Sequence, residues 1–127
     1  MLPFSIELKP GVPVSEQILY AVKRSVVAGQ MRPGDKFPSV RSLSQELRIN
    51  PNTAHKVVAA LVAEGVLITT PAVGSVVAGP AAGRPQERAA LLGNDLERLA
   101  VEAKKIGLTL EEVQEGLAAQ WRRLGSK

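Results

Sequence analysis

The sequence predicts a mainly α fold with one small β wing, followed by a two-helix tail. Three observations predict it. Two short stretches of helical periodicity meet at Ile49-Asn50-Pro51, where the proline ends one helix and can open the next. Two β-rich runs, residues 66–70 and 75–78, flank the Gly-containing turn Pro71-Ala-Val-Gly74, which is a hairpin signal. Beyond a Pro/Gly-rich stretch, apolar residues recur at the four-three spacing of packed helices. The 127 residues suit one domain with an appendage: residues 1–79, a linker at 80–85, and a tail at 86–127.

Composition narrows the function. The apolar fraction is 45%, but the aromatic residues are only Phe4, Tyr20, Phe37 and Trp121, so the core must be aliphatic. So few rings leave no platform for stacking single-stranded bases. The net charge of +4 favours an anionic partner. Residues 1–70 hold eight cations and five anions, and residues 71–127 hold eight and seven, so the excess lies in the first domain. There is no cysteine, which excludes disulfides and thiolate metal sites. His55 is the single histidine and has no second His or Cys to complete a metal site. With no Gly-rich phosphate loop and no evident carboxylate pair, the chain reads as neither an enzyme nor a cofactor binder. No signal peptide opens it and no apolar run approaches membrane-spanning length, so a cytoplasmic protein without a membrane partner is expected.

In residues 1–8, Leu2, Phe4, Ile6 and Leu8 alternate with other residues. They form a short strand or an extended arm with one apolar face, packed on its own domain or on a partner subunit. Pro10-Gly-Val-Pro13 is a turn. Residues 14–28 form a first helix that starts near Val14 or Ser15, buries Ile18, Leu19, Val22, Val26 and Val27, and stops at Gly29. Lys23 and Arg24 decorate its solvated side. Arg32-Pro-Gly-Asp35 suits a turn with Pro second and Gly third. Residues 35–37 add a short strand to the wing, and Phe37 anchors it in the core.

Ser39 caps the second helix, in which Leu43 and Leu47 form an apolar stripe one turn apart. Asn50 caps the third, with Pro51 its first residue. Ala54, Val57, Val58, Leu61 and Val62 face inward, whereas Asn52, Thr53, His55, Lys56 and Ala59 face outward. The outward first turn offers short polar groups and a cation, and the slim Ala59 lets the helix lie close to another surface. That combination suits the first turns of a helix entering the DNA major groove. It also suits a capped, solvated amphipathic helix in a small bundle. Gly65 ends the helix in a left-handed cap, and the hairpin follows. Three helices and a hairpin in this order make a winged helix-turn-helix.

Gly79-Pro-Ala-Ala-Gly-Arg-Pro85 is a linker by composition. In the tail, Leu92, Leu96, Leu99, Ala103 and Ile106 step by four, three, four and three along one helix, which Gly107 ends. Thr109 and Glu112 form a capping-box signature for a last helix carrying Leu110, Val113, Leu117, Trp121 and Leu124 at similar spacing. Two helices cannot bury two such stripes unaided. One stripe should meet the other, and the remainder should meet a second copy of the chain. Trp121 reads as a core anchor or as part of a ligand pocket.

Several segments resemble the GntR family of transcriptional regulators: Pro13-Val-Ser-Glu-Gln-Ile18, Gly29-Gln-Met-Arg-Pro-Gly-Asp-Lys-Phe-Pro-Ser-Val-Arg-Ser-Leu-Ser44, Asn50-Pro-Asn-Thr53 and Ala63-Glu-Gly-Val-Leu67. The resemblance covers residues 10–79. It implies a winged helix-turn-helix that binds double-stranded DNA, with the first helix supporting the other two. The arginine of the family's Pro-Ser-Glu-Arg segment contacts DNA, and here that segment is Pro38-Ser39-Val40-Arg41, with Val40 in place of Glu. The Arg41 guanidinium suits bidentate contact with phosphate or guanine; the alternative is an exposed pair within its helix, for example with Gln45. Many relatives carry Arg where Pro51 stands and a further basic residue near His55; this chain keeps His55 and Lys56. The family's wing tip often carries Arg, whereas Thr70-Pro-Ala-Val-Gly-Ser75 has no cation, so a weaker minor-groove contact is expected, with Gly74 approaching the backbone.

The tail resembles the YtrA-like branch of the family, which has a short α-helical tail. The resulting expectation is a homodimer, acting as a repressor on a palindromic operator, for example of a transport operon. Its DNA-binding residues would be Lys36, Ser39, Arg41, Asn52, Thr53, His55, Lys56 and Gly74, with Lys9 or Arg48 as further phosphate contacts. A small-molecule effector is compatible with this plan, but no residue names one. The competing reading is a winged-helix module that docks proteins.

Overall fold

The computed structural model describes residues 2–79 and 83–125, which form two compact units dividing after residue 80. Residues 80–82 of the expected linker lie outside the described residues. No described helix is long and apolar enough to cross a membrane.

The first unit begins with an arm that forms no strand. Its alternation serves packing instead. Phe4 is buried, with its ring stacked on Phe37 at a centroid distance of 6.0 Å and an interplanar angle of 4°, while Leu2 and Ile6 pack partly against the same core. The arm therefore folds onto its own domain. Gln17 fixes its far end: Oε1 accepts the Lys9 N–H at 2.8 Å, and Nε2 donates to the carbonyls of Lys9 and Val12 at 2.8 and 2.9 Å.

Helix α1 (Val14–Val27) buries Ile18, Val22 and Ser25. Leu19 and Val26 are only partly buried, and Val27, expected inside, is exposed. The inward line runs through positions 18, 22 and 25, and position 27 lies two helical steps, about 200°, beyond Ser25. Gly29, at a φ of 82°, takes the left-handed conformation that closes the helix. The turn at Arg32–Asp35 forms as expected: the Asp35 N–H donates to the Arg32 carbonyl at 3.0 Å, and Asp35 Oδ2 accepts the Arg32 N–H at 2.8 Å.

Helices α2 (Val40–Leu47) and α3 (Pro51–Ala63) follow, then strands β1 (Leu67–Thr70) and β2 (Gly74–Val77). The strands pair antiparallel, with Leu67 opposite Val77 and Thr70 opposite Gly74. The connecting loop is three residues, one fewer than expected, because Gly74 already pairs. The third strand expected at residues 35–37 is a single bridge between Lys36 and Val76. Hydrogen bonds from the Phe37 N–H to the Ser75 carbonyl and from the Val77 N–H to the Asp35 carbonyl support it. One core joins these pieces: Phe4, Ile18, Val22, Met31, Phe37, Leu43, Ala54, Val57, Leu61, Leu67 and Val77.

The second unit contains α4 (Pro85–Ala90), a π-helical turn (Leu91–Asp95), α5 (Leu96–Lys105) and α6 (Leu110–Arg123). The unbroken α-helix expected over residues 86–106 is thus interrupted. A Schellman turn at Gly107 ends α5: the Leu108 N–H donates to the Ala103 carbonyl at 2.9 Å and the Gly107 N–H to the Lys104 carbonyl at 3.1 Å. The capping box opening α6 is complete: the Glu112 N–H donates to Thr109 Oγ1 at 3.1 Å, and Glu112 Oε1 accepts the Thr109 N–H at 3.0 Å.

The expected meeting of one tail stripe with the other does not bury them within one chain, and most of both stripes is left exposed. Ala103 is buried, and Val113 and Leu124 are half-buried. Leu92, Leu96, Leu99, Ile106, Leu110, Leu117 and Trp121 remain exposed. A pair of helices offers too little opposing surface to cover them. Trp121 is therefore not a core anchor of its own subunit.

Candidate nucleic-acid interface

The interface is built on two helix starts. At the first, the Ser39 hydroxyl accepts the Ser42 N–H and donates to Ser42 Oγ, both at 3.1 Å. Ser39 is thus engaged in its own cap, which fixes the direction of the turn bearing Arg41. Leu43 and Ser44 bury the opposite side of this helix, and the Ser44 hydroxyl donates to the Arg41 carbonyl at 2.9 Å. Arg41 itself is exposed. Among the described residues its guanidinium has no ion-pair partner, and the pair with Gln45 does not form.

The link to α3 is tight. Arg48 adopts the left-handed conformation, with φ 55° and ψ 49°, and the Ile49 N–H donates to the Ser44 carbonyl at 3.0 Å. At the start of α3, Asn50 Oδ1 accepts the Asn52 N–H at 2.8 Å. Ala54, Val57 and Leu61 anchor the inner side of α3 in the core. Asn52, His55, Lys56 and Ala59 are exposed in consequence, while Thr53 is half-buried and offers only part of its side chain.

Electrostatics separate these two helices from the rest. The N-terminal end of a helix carries a partial positive charge, which acidic residues in the first turn neutralise. α1 has Glu16 there, α4, which opens the first tail helix, has Glu87, and α6 has Glu111 and Glu112. Neither α2 nor α3 has an acidic residue in its first turn. Their positive ends carry no acid of their own in the first turn, an arrangement suited to an external anion.

The remaining expected residues form a second group on the wing. Lys36 is exposed and bridged to Val76, and Gly74 opens β2 with a φ of 96°. A Cβ added at Gly74 would meet no atom within 4 Å, so its backbone is accessible from outside. The wing tip adds a feature the sequence did not reveal: Ala72 sits at φ 65°, a conformation that glycine or asparagine adopts more readily.

Residues 14–77 match the family described as bacterial regulatory proteins, gntR family. The chain belongs to the GntR family. The relatives extend the similarity beyond this segment. Over 111 residues the chain is 32% identical to the HTH-type transcriptional repressor YtrA of Bacillus subtilis (strain 168), spanning 87% of this chain and 85% of that protein. Among solved structures, a transcriptional antiterminator from Listeria monocytogenes EGD-e superposes with a TM-score of 0.82 at 27% identity, covering 98% of this chain and 94% of the other. YtrA from Sulfolobus acidocaldarius, a GntR-family transcription factor, gives a TM-score of 0.61 at 29% identity, covering 76% and 96%. The family expected from the motifs and the YtrA-like character expected from the short helical tail are thus the ones found. This is a GntR-family transcriptional regulator and not an enzyme.

Within this GntR-family regulator, sequence reasoning missed the contact that joins α1 to the end of α3. Lys23 Nζ lies 3.0 Å from Glu64 Oε1. The two are 41 residues apart, and no local pattern pairs them. Gln17, the clasp on the arm, was missed for a related reason: its carboxamide serves backbone groups, which any sequence supplies.

Proposed function

We propose that this regulator is a homodimeric repressor that holds a palindromic operator with the starts of α2 and α3. Asn52, Thr53 and His55 face base edges, each good contact contributing about 1–3 kcal/mol of discrimination. Arg41, Lys36 and Lys56 engage phosphate and supply most of the affinity, with Arg48 or Lys9 as secondary contacts. Ser39 holds the Arg41 turn in place, and Gly74 lets the wing approach the backbone. The tail stripes, Leu92 to Ile106 and Leu110 to Leu124, join the two subunits. That pairing sets the two recognition helices one turn of DNA apart, ~34–36 Å.

One observation supports this reading: α2, with exposed Arg41 in its first turn, and α3, with exposed Lys56 in its second, have no acidic residue in the first turn, unlike α1, α4 and α6. The repressor role draws support from the relative named a transcriptional repressor, and a transport operon as its target follows only from the resemblance of the tail. The test is selection of bound sequences from random DNA with the full chain, together with its mass in solution. The expected result is a palindromic motif bound by two subunits. Enrichment of no motif would instead indicate a protein-docking module.

A further inference from the structure

The π-helical turn at Leu91–Asp95 changes which residues of the first tail helix share a face. A π turn takes in one residue more than an α turn, so everything before it is rotated by the angle of one residue, about 100°. In an α-helix, Leu91 would stand about 140° away from Leu96, five positions on. With the extra residue absorbed, Leu91 relates to Leu96 as i to i+4, and Leu92 relates to it as i to i+3. Both are facing spacings. The two leucines therefore flank Leu96 on either side, and the face continues through Leu99 to Ala103. Leu91, Leu92, Leu96 and Leu99 are 61, 66, 42 and 45% exposed. Val101 supplies the contrast. It also lies five positions from Leu96, but on the α-helical side, and it shares a surface groove with Asn94, Glu97, Arg98 and Glu102.

We propose that this turn sets the phase of the tail, bringing Leu91 into the surface that packs against the tail of a second copy of the chain. The inference rests on the homodimer reading above and specifies its interface. Two properties of the tail name a second copy as the occupant. The four leucines of the first tail helix, with Ile106, Leu110, Leu117 and Trp121, make eight large apolar side chains between 42 and 71% exposed, enough apolar surface to supply much of the ~800 Å² that each partner contributes to a stable interface. The charges of residues 71–127 nearly balance, eight cations to seven anions, so two copies meet without net repulsion. The face is also wider than the narrow two-position seam of a coiled coil. It accordingly contacts both helices of the partner tail, in a four-helix arrangement.

The experiment is sedimentation velocity on the full chain across a concentration series. The variants are Leu96→Lys, Leu91→Lys, Val101→Lys and a deletion of Asn94, which removes the extra residue. The expected result is a wild-type dimer whose dissociation constant rises roughly ten- to hundredfold for Leu96→Lys and for Leu91→Lys and is unchanged for Val101→Lys. The deletion weakens the dimer while helicity by circular dichroism is kept. If Leu96→Lys dissociates the dimer but Leu91→Lys behaves like Val101→Lys, the phase-setting role is wrong and the dimer stands. An unchanged dimer after the deletion overturns the same role. A monomeric wild type, or a Leu96→Lys chain as dimeric as wild type, overturns the homodimer reading itself.

Discussion

Asn50 Oδ1 accepts the backbone N–H of Asn52 at 2.8 Å, so the cap of α3 directly restrains the first residue of the proposed DNA-reading turn. Stability and recognition meet at this bond, and two substitutions separate them. Asn50→Ala removes the cap and costs about 1 kcal/mol, lowering the melting temperature by about 4–8 °C for a domain of this size. Asn50→Asp keeps a capping oxygen and should melt like wild type. Its added negative charge beside the phosphates weakens DNA binding all the same. Thermal melts and filter-binding titrations of both variants check this.

Arg41 is exposed, and among the described residues no side chain pairs with it. Arg41→Ala therefore leaves stability within about 0.5 kcal/mol and leaves the subunits associated, while operator affinity falls at least tenfold. Arg41→Lys tells the contact apart. It restores much of the affinity if the partner is one phosphate, and little if the guanidinium forks onto a guanine. Gel-shift titration on a selected operator reads both.

Phe4 contributes to the core from the N-terminal arm, outside the helices and the hairpin. Its ring stacks on Phe37, which is itself held against the wing by the bond from its N–H to the Ser75 carbonyl. Phe4→Ala should cost about 3 kcal/mol in denaturant melts. Phe4→Leu should cost less, because it keeps most of the buried volume. An equal loss from both would mean that the ring stacking dominates over filling.

Arg48 holds a left-handed conformation that costs a residue with a Cβ about 1–2 kcal/mol. Glycine relieves that cost and gives back roughly 0.5–1 kcal/mol in chain entropy. Arg48→Gly is thus expected to raise stability slightly in urea melts. If Arg48 touches phosphate in each subunit, the same change also reduces the slope of log affinity against log salt by about 2 for the dimer. A stability gain with an unchanged slope assigns Arg48 to the turn alone.

The legible parts of the fold are the ones that local chemistry closes. Ser39, Asn50 and the Thr109–Glu112 pair announce their helices because a cap bonds two or three residues ahead, within one window of sequence. The outward side of α3 was legible because its inward side repeats at helical spacing. Val27 was misplaced because periodicity marks a face without locating its centre, and here the small polar Ser25 occupies the buried position.

The sequence by itself determined the order of elements, their caps, the outward side of α3 and the family, since each depends on residues close together in the chain. Tertiary structure alone decided the rest. It turned the alternating arm into a plug for the core, joined Lys23 to Glu64, and reduced the third wing strand to one bridge. These outcomes depend on which distant surfaces compete for the same space, and spacing along the chain carries no record of that competition.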